Sequence, residues 1–281
     1  MQNPLVSILM TAFNREEFIA EAIESVLAST YNNFELIIVD DSSVDNTATI
    51  AKHYLEIDSR IKLFINKTNQ GQFGNRNIAA SHAKGKYLKY LDSDDCIYPY
   101  SIKMMVDAME TFPDSALAFC LTYGPCKKPL PYILYPEEAL QQHFFGGGLL
   151  FCGPSGLIIK KAAFELVGGF EEFGMPSDNH LTLKIATRFP IVAVTRDLFW
   201  WRQHPKQVFS MNIDNHLNIF NNYSYTKSII MDHASLSISQ KKLIMRNQKK
   251  IFFLNVLKLA VRKGEIRKAA SLFSQFRKVN F

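Results

Sequence analysis

Leu5-Val6-Ser7-Ile8-Leu9-Met10 and Phe34-Glu35-Leu36-Ile37-Ile38-Val39 flank a segment, Glu16 to Ala28, whose apolar residues fall at Phe18, Ile19, Ala22, Ile23, Val26 and Leu27. The outer runs are rich in branched side chains and too short for helices, so they read as buried strands. The middle segment carries one apolar stripe at helical spacing. Strand, helix, strand is the repeating unit of a parallel sheet, because parallel neighbours need a crossover that a helix supplies.

The alternation continues outward. Asp45 to Ile57 reads as a helix opening near an Asp-Asn-Thr cap, Ile61 to Ile65 as a strand, Gly74 to His82 as a helix and Tyr87 to Leu91 as a strand. In such sheets helices cover both faces, and ligands bind beyond the carboxyl ends of the strands. A polar motif follows each of the four strands: Thr11-Ala12-Phe13-Asn14, Asp40-Asp41-Ser42-Ser43, Asn69-Gln70-Gly71 and Asp92-Ser93-Asp94-Asp95.

After Pro99 the pattern changes. A helix is expected over Ser101 to Glu110, an apolar segment over Ala116 to Leu121, and an irregular loop over Pro125 to Pro136. Gly146-Gly147-Gly148 precedes a strand-like apolar segment, and Gly153-Pro154-Ser155-Gly156 punctuates the chain before Leu157 to Lys160. From about Ile213 the sequence turns helical and basic. Ile251 to Ala260 and Ala269 to Phe276 are amphipathic around a Lys263-Gly264-Glu265 turn, which predicts a helical hairpin.

With 281 residues, 47% hydrophobic and 21% charged, the chain suits one large α/β domain with an appendage rather than a disordered protein. Met1-Gln2-Asn3-Pro4 offers no basic start to a signal peptide, and no apolar run approaches the ~20 residues of a membrane span, so a cytoplasmic protein is expected. Cys96, Cys120, Cys126 and Cys152 form no CxxC pair or zinc spacing and are expected to be packed free thiols. The net charge of +6 is concentrated between Lys241 and Lys278, where Glu265 is the only acid. A solvated helix face and contact with anionic lipid account for this equally well. The basic residues sit in one tail without a nucleic-acid-reading motif, so no nucleic acid is expected.

An acid cluster capping a buried strand, as at Asp92-Ser93-Asp94-Asp95, suits magnesium or manganese, which take carboxylates while leaving positions for phosphate oxygens. An Asp-rich turn is the plainer alternative. Of Asp40 and Asp41, one acid can accept a hydrogen bond from a base N–H, while Ser42, Ser43 and Asp45 start the next helix.

These motifs together, from Val6-Ser7-Ile8-Leu9-Met10-Thr11-Ala12-Phe13-Asn14 through Val39-Asp40-Asp41-Ser42-Ser43, Asn69-Gln70-Gly71 with Arg76-Asn77, Gly85-Lys86-Tyr87 and Leu91-Asp92-Ser93-Asp94-Asp95, closely resemble glycosyltransferase family 2. Order and spacing match over the first hundred or so residues. Beyond residue 150 the likeness is looser, through Gly153 to Lys161, Ala163-Phe164 and Val167-Gly168-Gly169-Phe170.

The resemblance implies a GT-A fold, so the fold expected is α/β and Rossmann-like, a mostly parallel sheet covered by helices, to which the periodicity beyond Ile213 adds a C-terminal helical appendage. It implies inverting transfer from a nucleoside-diphosphate sugar, with UDP the expected nucleotide, and a divalent metal. On that pattern Thr11, Ala12, Phe13 and Asn14 form the nucleobase loop with Phe13 stacking, and Asp40 or Asp41 bonds the base. Gly71 lies in the third motif, Arg76 assists the nucleotide, Asp92 faces the ribose beside Ser93, and Asp94 holds the metal. The family's Glu-Asp before a hydrophobic helix reads Ser177-Asp178 here, which makes Asp178 the candidate base. A helix N-cap is the alternative role for Asp178. The stretch Trp200 to Ser210 resembles the family's later Arg-x-His loop, which places His204 at the metal or pyrophosphate and Arg202 or Lys206 near phosphate charge.

The expected organisation is a nucleotide-sugar half over 1–105, an acceptor and catalytic half over 106–212 and a basic helical hairpin over 213–281. The Gln-x-x-Arg-Trp motif of processive synthases is absent, so transfer of one sugar to a lipid-linked or oligosaccharide acceptor in surface-polysaccharide assembly is expected. The hairpin, with Phe252, Phe253, Leu257 and Phe276 among its cations, is expected to dock at the inner face of the plasma membrane or to form a homodimer. A second reading, a nucleotide-sugar-binding or scaffold protein without catalysis, rests on Ser177 and on His180 where the family often has an acid. A nucleotidyltransferase would need a glycine-rich phosphate loop, and the Thr11 to Arg15 turn has no glycine.

Overall fold

The computed structural model describes residues 3–121, 128–172, 177–204, 207, 217–232 and 236–280. Cys126 and Lys206 therefore lie outside the described residues. The first half alternates as the sequence predicts: β1 (Val6–Ala12), α1 (Ile19–Leu27), β2 (Phe34–Asp40), α2 (Thr47–Ile57), β3 (Ile61–Ile65), α3 (Gly71–Ser81) and β4 (Tyr87–Asp92). A short β5 (Cys96–Ile97), α4 (Ser101–Thr111), β6 (Leu117–Cys120), β7 (Tyr132–Leu134) and α5 (Pro136–Phe145) follow. A single turn, Pro154–Gly156, then leads into β8 (Leu157–Lys160), α6 (Lys161–Leu166), α7 (Ser177–Ala186), β9 (Ile191–Val194) and β10 (Phe199–Trp200). Three helices, α8 (Leu217–Asp232), α9 (Ile238–Arg262) and α10 (Ile266–Asn280), complete the chain.

One sheet runs in the order β3-β2-β1-β4-β8-β6-β9-β7, and only β7 and β8 run against the rest. The strands of both halves thus share one mostly parallel sheet. Every residue of β2 is buried, as expected of a central strand covered on both faces. The register sets Thr11 beside Val39 and Asp92, and Ala12 beside Asp40. The polar motifs therefore end level with one another.

The opposite end of these strands is pinned by a buried acid. Glu35 accepts from Ser7 Oγ at 2.6 Å, Lys62 Nζ at 2.5 Å and Lys84 N at 2.7 Å. Burial pushes its carboxyl up, but these hydrogen bonds outweigh burial and hold it below the ordinary value. Gly85 lets the chain pass close to β1, since a Cβ there would lie 2.6 Å from Ser7 N and 2.8 Å from Leu5 O.

The structure departs from the sequence reading where turns compete with periodicity. Helix α1 starts at Ile19 rather than Glu16, because the Phe18 and Ile19 amides turn back to Arg15 O. The expected loop over 125–136 contains strand β7, paired antiparallel with β9 at the sheet edge. Leu149 to Cys152 is no strand: Gly147 and Gly148 sit at φ 100° and 86°, and Phe151 N bonds Gly148 O. Gly264 at φ 68° lets Glu265 N reach Leu259 O, which makes the predicted hairpin turn.

The C-terminal helices have a small core of their own, in which Tyr223, Phe252, Leu259, Leu272 and Phe276 are buried. Phe252 and Phe276, expected at a membrane, instead stack on each other with ring centroids 4.8 Å apart. Two apolar stripes on α9 explain the difference. The one bearing Phe252 and Leu259 faces inward, and the other, with Leu243, Leu254, Leu257 and Val261, is exposed. No helix is long and apolar enough to cross a membrane, among the described residues.

Candidate functional site

The carboxyl ends of β1, β2 and β4 open into a cleft of about 770 Å³. Thr11, Ala12, Phe13, Asn14, Asp41, Gly71, Arg76, Asp92, Ser93, Asp94 and Asp178 line it, so the fold brings together most of the residues singled out in the sequence. Phe13 keeps 44% of its surface exposed at the mouth. Asp40 and His204 are not on the cleft wall.

Local hydrogen bonding sorts the two acids at the tip of β2. Asp40 is buried and accepts from Ser43 N at 2.9 Å and Ser43 Oγ at 2.5 Å, so it builds the turn into α2. Ser43 Oγ in turn accepts from Asn14 N, which ties the first motif to the second with Asn14 at φ 53°. Asp41 is the acid that faces the cleft, oriented by Asn66 Nδ2 at 2.7 Å and Gln70 N at 2.8 Å.

Arg76 joins the two halves. Its Nη2 donates to Asp92 Oδ1 at 2.7 Å and its Nη1 to Asp178 Oδ1 at 2.9 Å. Phe73 and Phe170 lie within 5.6 Å of the guanidinium carbon. Burial opposes its charge, yet the two carboxylates outweigh burial and keep it protonated. Its Nε is buried and has no hydrogen-bond partner among the described residues. Asp178 does not cap α7: its carboxylate turns to Arg76 within the first turn. A quarter of that side chain remains exposed, 25%. Burial, joined by the charge of Asp92 and opposed by Arg76, raises its carboxyl to about 6.

A second acid pair lies behind the end of β4. Asp94 Oδ2 accepts from Arg15 Nε at 3.0 Å and lies 3.0 Å from His204 Nε2. Asp95 is buried and accepts from Ser155 Oγ at 2.6 Å and Arg202 N at 3.1 Å. Burial first, then Asp92, raise its carboxyl to about 7. Ser155 also accepts from Asp92 N at 3.1 Å, so one hydroxyl organises both acids. Arg202 donates to Asp94 O at 2.9 Å and lies over Trp200, with its cation 4.5 Å from the ring centroid. Sequence reasoning missed Arg15, Asp95 and Ser155. Asp95 was legible within the acid cluster, whereas Ser155 acts across 60 residues and carried no local signal.

No group of three or more His, Cys, Asp or Glu is preformed as a metal cage, among the described residues. The donor set nonetheless suits a hard divalent ion. Among the described residues Asp94 Oδ1 takes no hydrogen bond, while Oδ2 meets Arg15 and His204. Manganese accepts carboxylate and imidazole, and a diphosphate with water completes such a shell. Asp94 and His204 thus fit a metal shared with substrate phosphates.

Residues 7–168 match the sequence profile of Glycosyl transferase family 2, more than half of the 281-residue chain. The chain is 41% identical over 109 residues, 39% of its length, to an Escherichia coli protein named UDP-Glc:alpha-D-GlcNAc-diphosphoundecaprenol beta-1,3-glucosyltransferase WfgD. The match spans 42% of that relative, and the chain matches between 17% and 42% of the length of its curated relatives. Among solved structures, S. aureus TarS 1–349 with UDP-GlcNAc superimposes at a TM-score of 0.75 and 19% identity, covering 96% of this chain and 80% of that one. A Pyrobaculum calidifontis mannosyltransferase with GDP-Man and Mn2+ gives 0.65 and 16%, covering 100% and 82%. These likenesses establish the GT-A fold.

The raised Asp95 carboxyl makes a stability prediction. A carboxyl whose folded value, about 7, exceeds its unfolded one holds its proton better when folded, so it favours folding below about pH 4 and loses that contribution as pH rises to about 7. Asp95→Asn should therefore gain stability relative to the native chain between pH 5 and pH 8, as read from urea midpoints. A pH-independent difference would mean that Asp95 ionises as freely folded as unfolded.

Proposed function

The chain belongs to glycosyl transferase family 2, and from this premise we propose that it is an inverting transferase that moves one sugar from a UDP-sugar to a hydroxyl of a lipid-linked glycan in surface-polysaccharide assembly. The observation that carries the reading is the Asp92–Arg76–Asp178 bridge, which sets a carboxylate of raised proton affinity in the same cleft as the nucleotide motifs. The Escherichia coli relative's printed activity, transfer from UDP-Glc to GlcNAc-diphosphoundecaprenol, supports the donor and acceptor classes.

Phe13 offers an exposed ring for the nucleobase, and Asp41 an oriented acceptor for a base N–H. Asp92 serves the ribose, with Arg76 holding its carboxylate in place. Asp178 removes the proton from the acceptor hydroxyl as that oxygen bonds to the anomeric carbon. The bond from that carbon to the diphosphate breaks on the opposite face, and its electron pair leaves with UDP. A divalent metal held by Asp94 with His204 would supply charge neutralisation at the leaving diphosphate. Arg76 keeps Asp178 aligned and lowers its proton affinity from what burial alone would impose. Retention of Asp178 in the cleft favours this reading over a scaffold without catalysis.

The outward stripe of α9 supports membrane docking. Leu243, Leu254, Leu257 and Val261 are exposed along it, and Arg246, Lys250 and Lys258 are exposed beside them. An apolar stripe edged by cations matches an anionic bilayer surface.

Thermal melts with nucleotides and nucleotide sugars, each with and without manganese, test the donor site. UDP with metal should raise the melting temperature, and Asp94→Ala should abolish the metal-dependent part. No shift with any nucleotide would favour a protein without transferase chemistry. Asp178→Asn should retain UDP affinity and lose transfer, while in the native enzyme the rate should fall about tenfold per unit below about pH 6, as Asp178 takes up its proton. Unchanged turnover in the variant would assign the base elsewhere. In sedimentation with phosphatidylglycerol vesicles the native chain should pellet and Leu254→Glu/Leu257→Glu should not. A native chain that stays in solution as a dimer would assign the stripe to a second copy.

A further inference from the structure

A second cavity, of about 370 Å³, lies between α5, the start of α7 and helices α8 and α9. Its size falls within the range of small-molecule sites, roughly 300–1,000 Å³. Phe151 lines both this cavity and the main cleft. Consecutive residues at the start of α7 also serve the two spaces, Asp178 lining the cleft and Asn179 the cavity. The two are therefore neighbours, and the candidate base stands at their boundary.

The lining chemistry is selective. Amides of Asn179, Asn222, Gln248 and Asn255 alternate with aromatic rings, and no Lys, Arg, Asp or Glu contributes to the wall among the described residues. His143, also in the wall, accepts from Leu150 N through Nδ1 and is held neutral by burial, its value lowered to about 4. A phosphate or carboxylate would call for guanidinium or ammonium partners. An apolar ligand would leave the half-buried amides of Asn179, Gln248 and Asn255 without partners. Amides each offer donors and an acceptor for hydroxyls, and aromatic faces suit the C–H faces of a pyranose. The Gly147-Gly148 turn sets the shared ring: a Cβ on Gly148 would lie 2.3 Å from Phe151 Cδ2, so the ring can rest against the backbone only beside glycine.

We infer that this cavity is a saccharide subsite that holds an uncharged sugar unit of the acceptor and presents its hydroxyl past Phe151 to Asp178. The assignment of that sugar to an acceptor rests on the transferase reading. It gives the C-terminal helices a binding role on their inner face, separate from the outward stripe of α9.

Chitobiose, an uncharged disaccharide, is the binding probe. Saturation-transfer NMR on the full chain should show chitobiose bound, and Asn255→Trp, which fills the cavity, should remove that signal while leaving the UDP signal intact. No chitobiose signal in the native chain, or an equal signal in the variant, overturns the subsite. In transfer assays Gln248→Ala and Asn255→Ala should each raise the acceptor KM about tenfold while kcat and the donor KM stay within about twofold. An unchanged acceptor KM in both overturns the acceptor role. A native chain that binds chitobiose but transfers no sugar would instead sink the transferase reading and leave the saccharide site standing.

Discussion

The guanidinium of Arg76 is the contact on which the site depends. Asp92 ends a strand of the first half and Asp178 opens a helix of the second, 102 residues from Arg76 along the chain. Two carboxylates converging on one cleft repel each other, and a buried cation between them offsets part of that repulsion while fixing both in direction. Asp92 and Asp178 keep 32% and 25% of their side chains exposed. Loss of Arg76 should therefore cost less than the roughly 3–5 kcal/mol of a fully buried pair. Its larger consequence is positional, because no other cation joins those two acids among the described residues.

Around that contact the acids divide their work by environment. Asp40 and Asp95 are drawn into the protein by hydroxyl and amide donors, and they hold turns and loops in place. Asp41, Asp92, Asp94 and Asp178 line the cleft, and Asp95 also contributes to its wall. Hydrogen bonding rather than burial sorts them, since Asp40, Asp41 and Asp95 are all buried and only Asp40 is absent from the cleft wall. Ser155 is the link between these sets, since its hydroxyl donates to Asp95 and accepts from the Asp92 amide.

The C-terminal helices show how one amphipathic pattern can serve two surfaces. The inward stripe of α9 contributes Phe252 to a core with Tyr223 and Phe276 and supplies Gln248 and Asn255 to the cavity beside α7. The outward stripe is apolar and edged by cations.

The sequence by itself determined the alternation of strands and helices, the parallel sheet and the alignment of polar motifs at its carboxyl edge. Those follow from period and length, which are local properties of Leu5 to Leu91. It also marked the polar motifs that form one edge of the cleft, because motifs after parallel strands must gather there. It could not separate Asp40 from Asp41, whose roles depend on which carboxylate Ser43 reaches. Nor could it show that Phe252 and Phe276 face each other, since a helix with two apolar stripes does not reveal which one is covered. The pairing of Arg76 with Asp178, the reach of Ser155 to Asp95 and the cavity behind Phe151 were decided only by the tertiary structure, because each joins residues distant along the chain whose meeting depends on how the second half packs against the first.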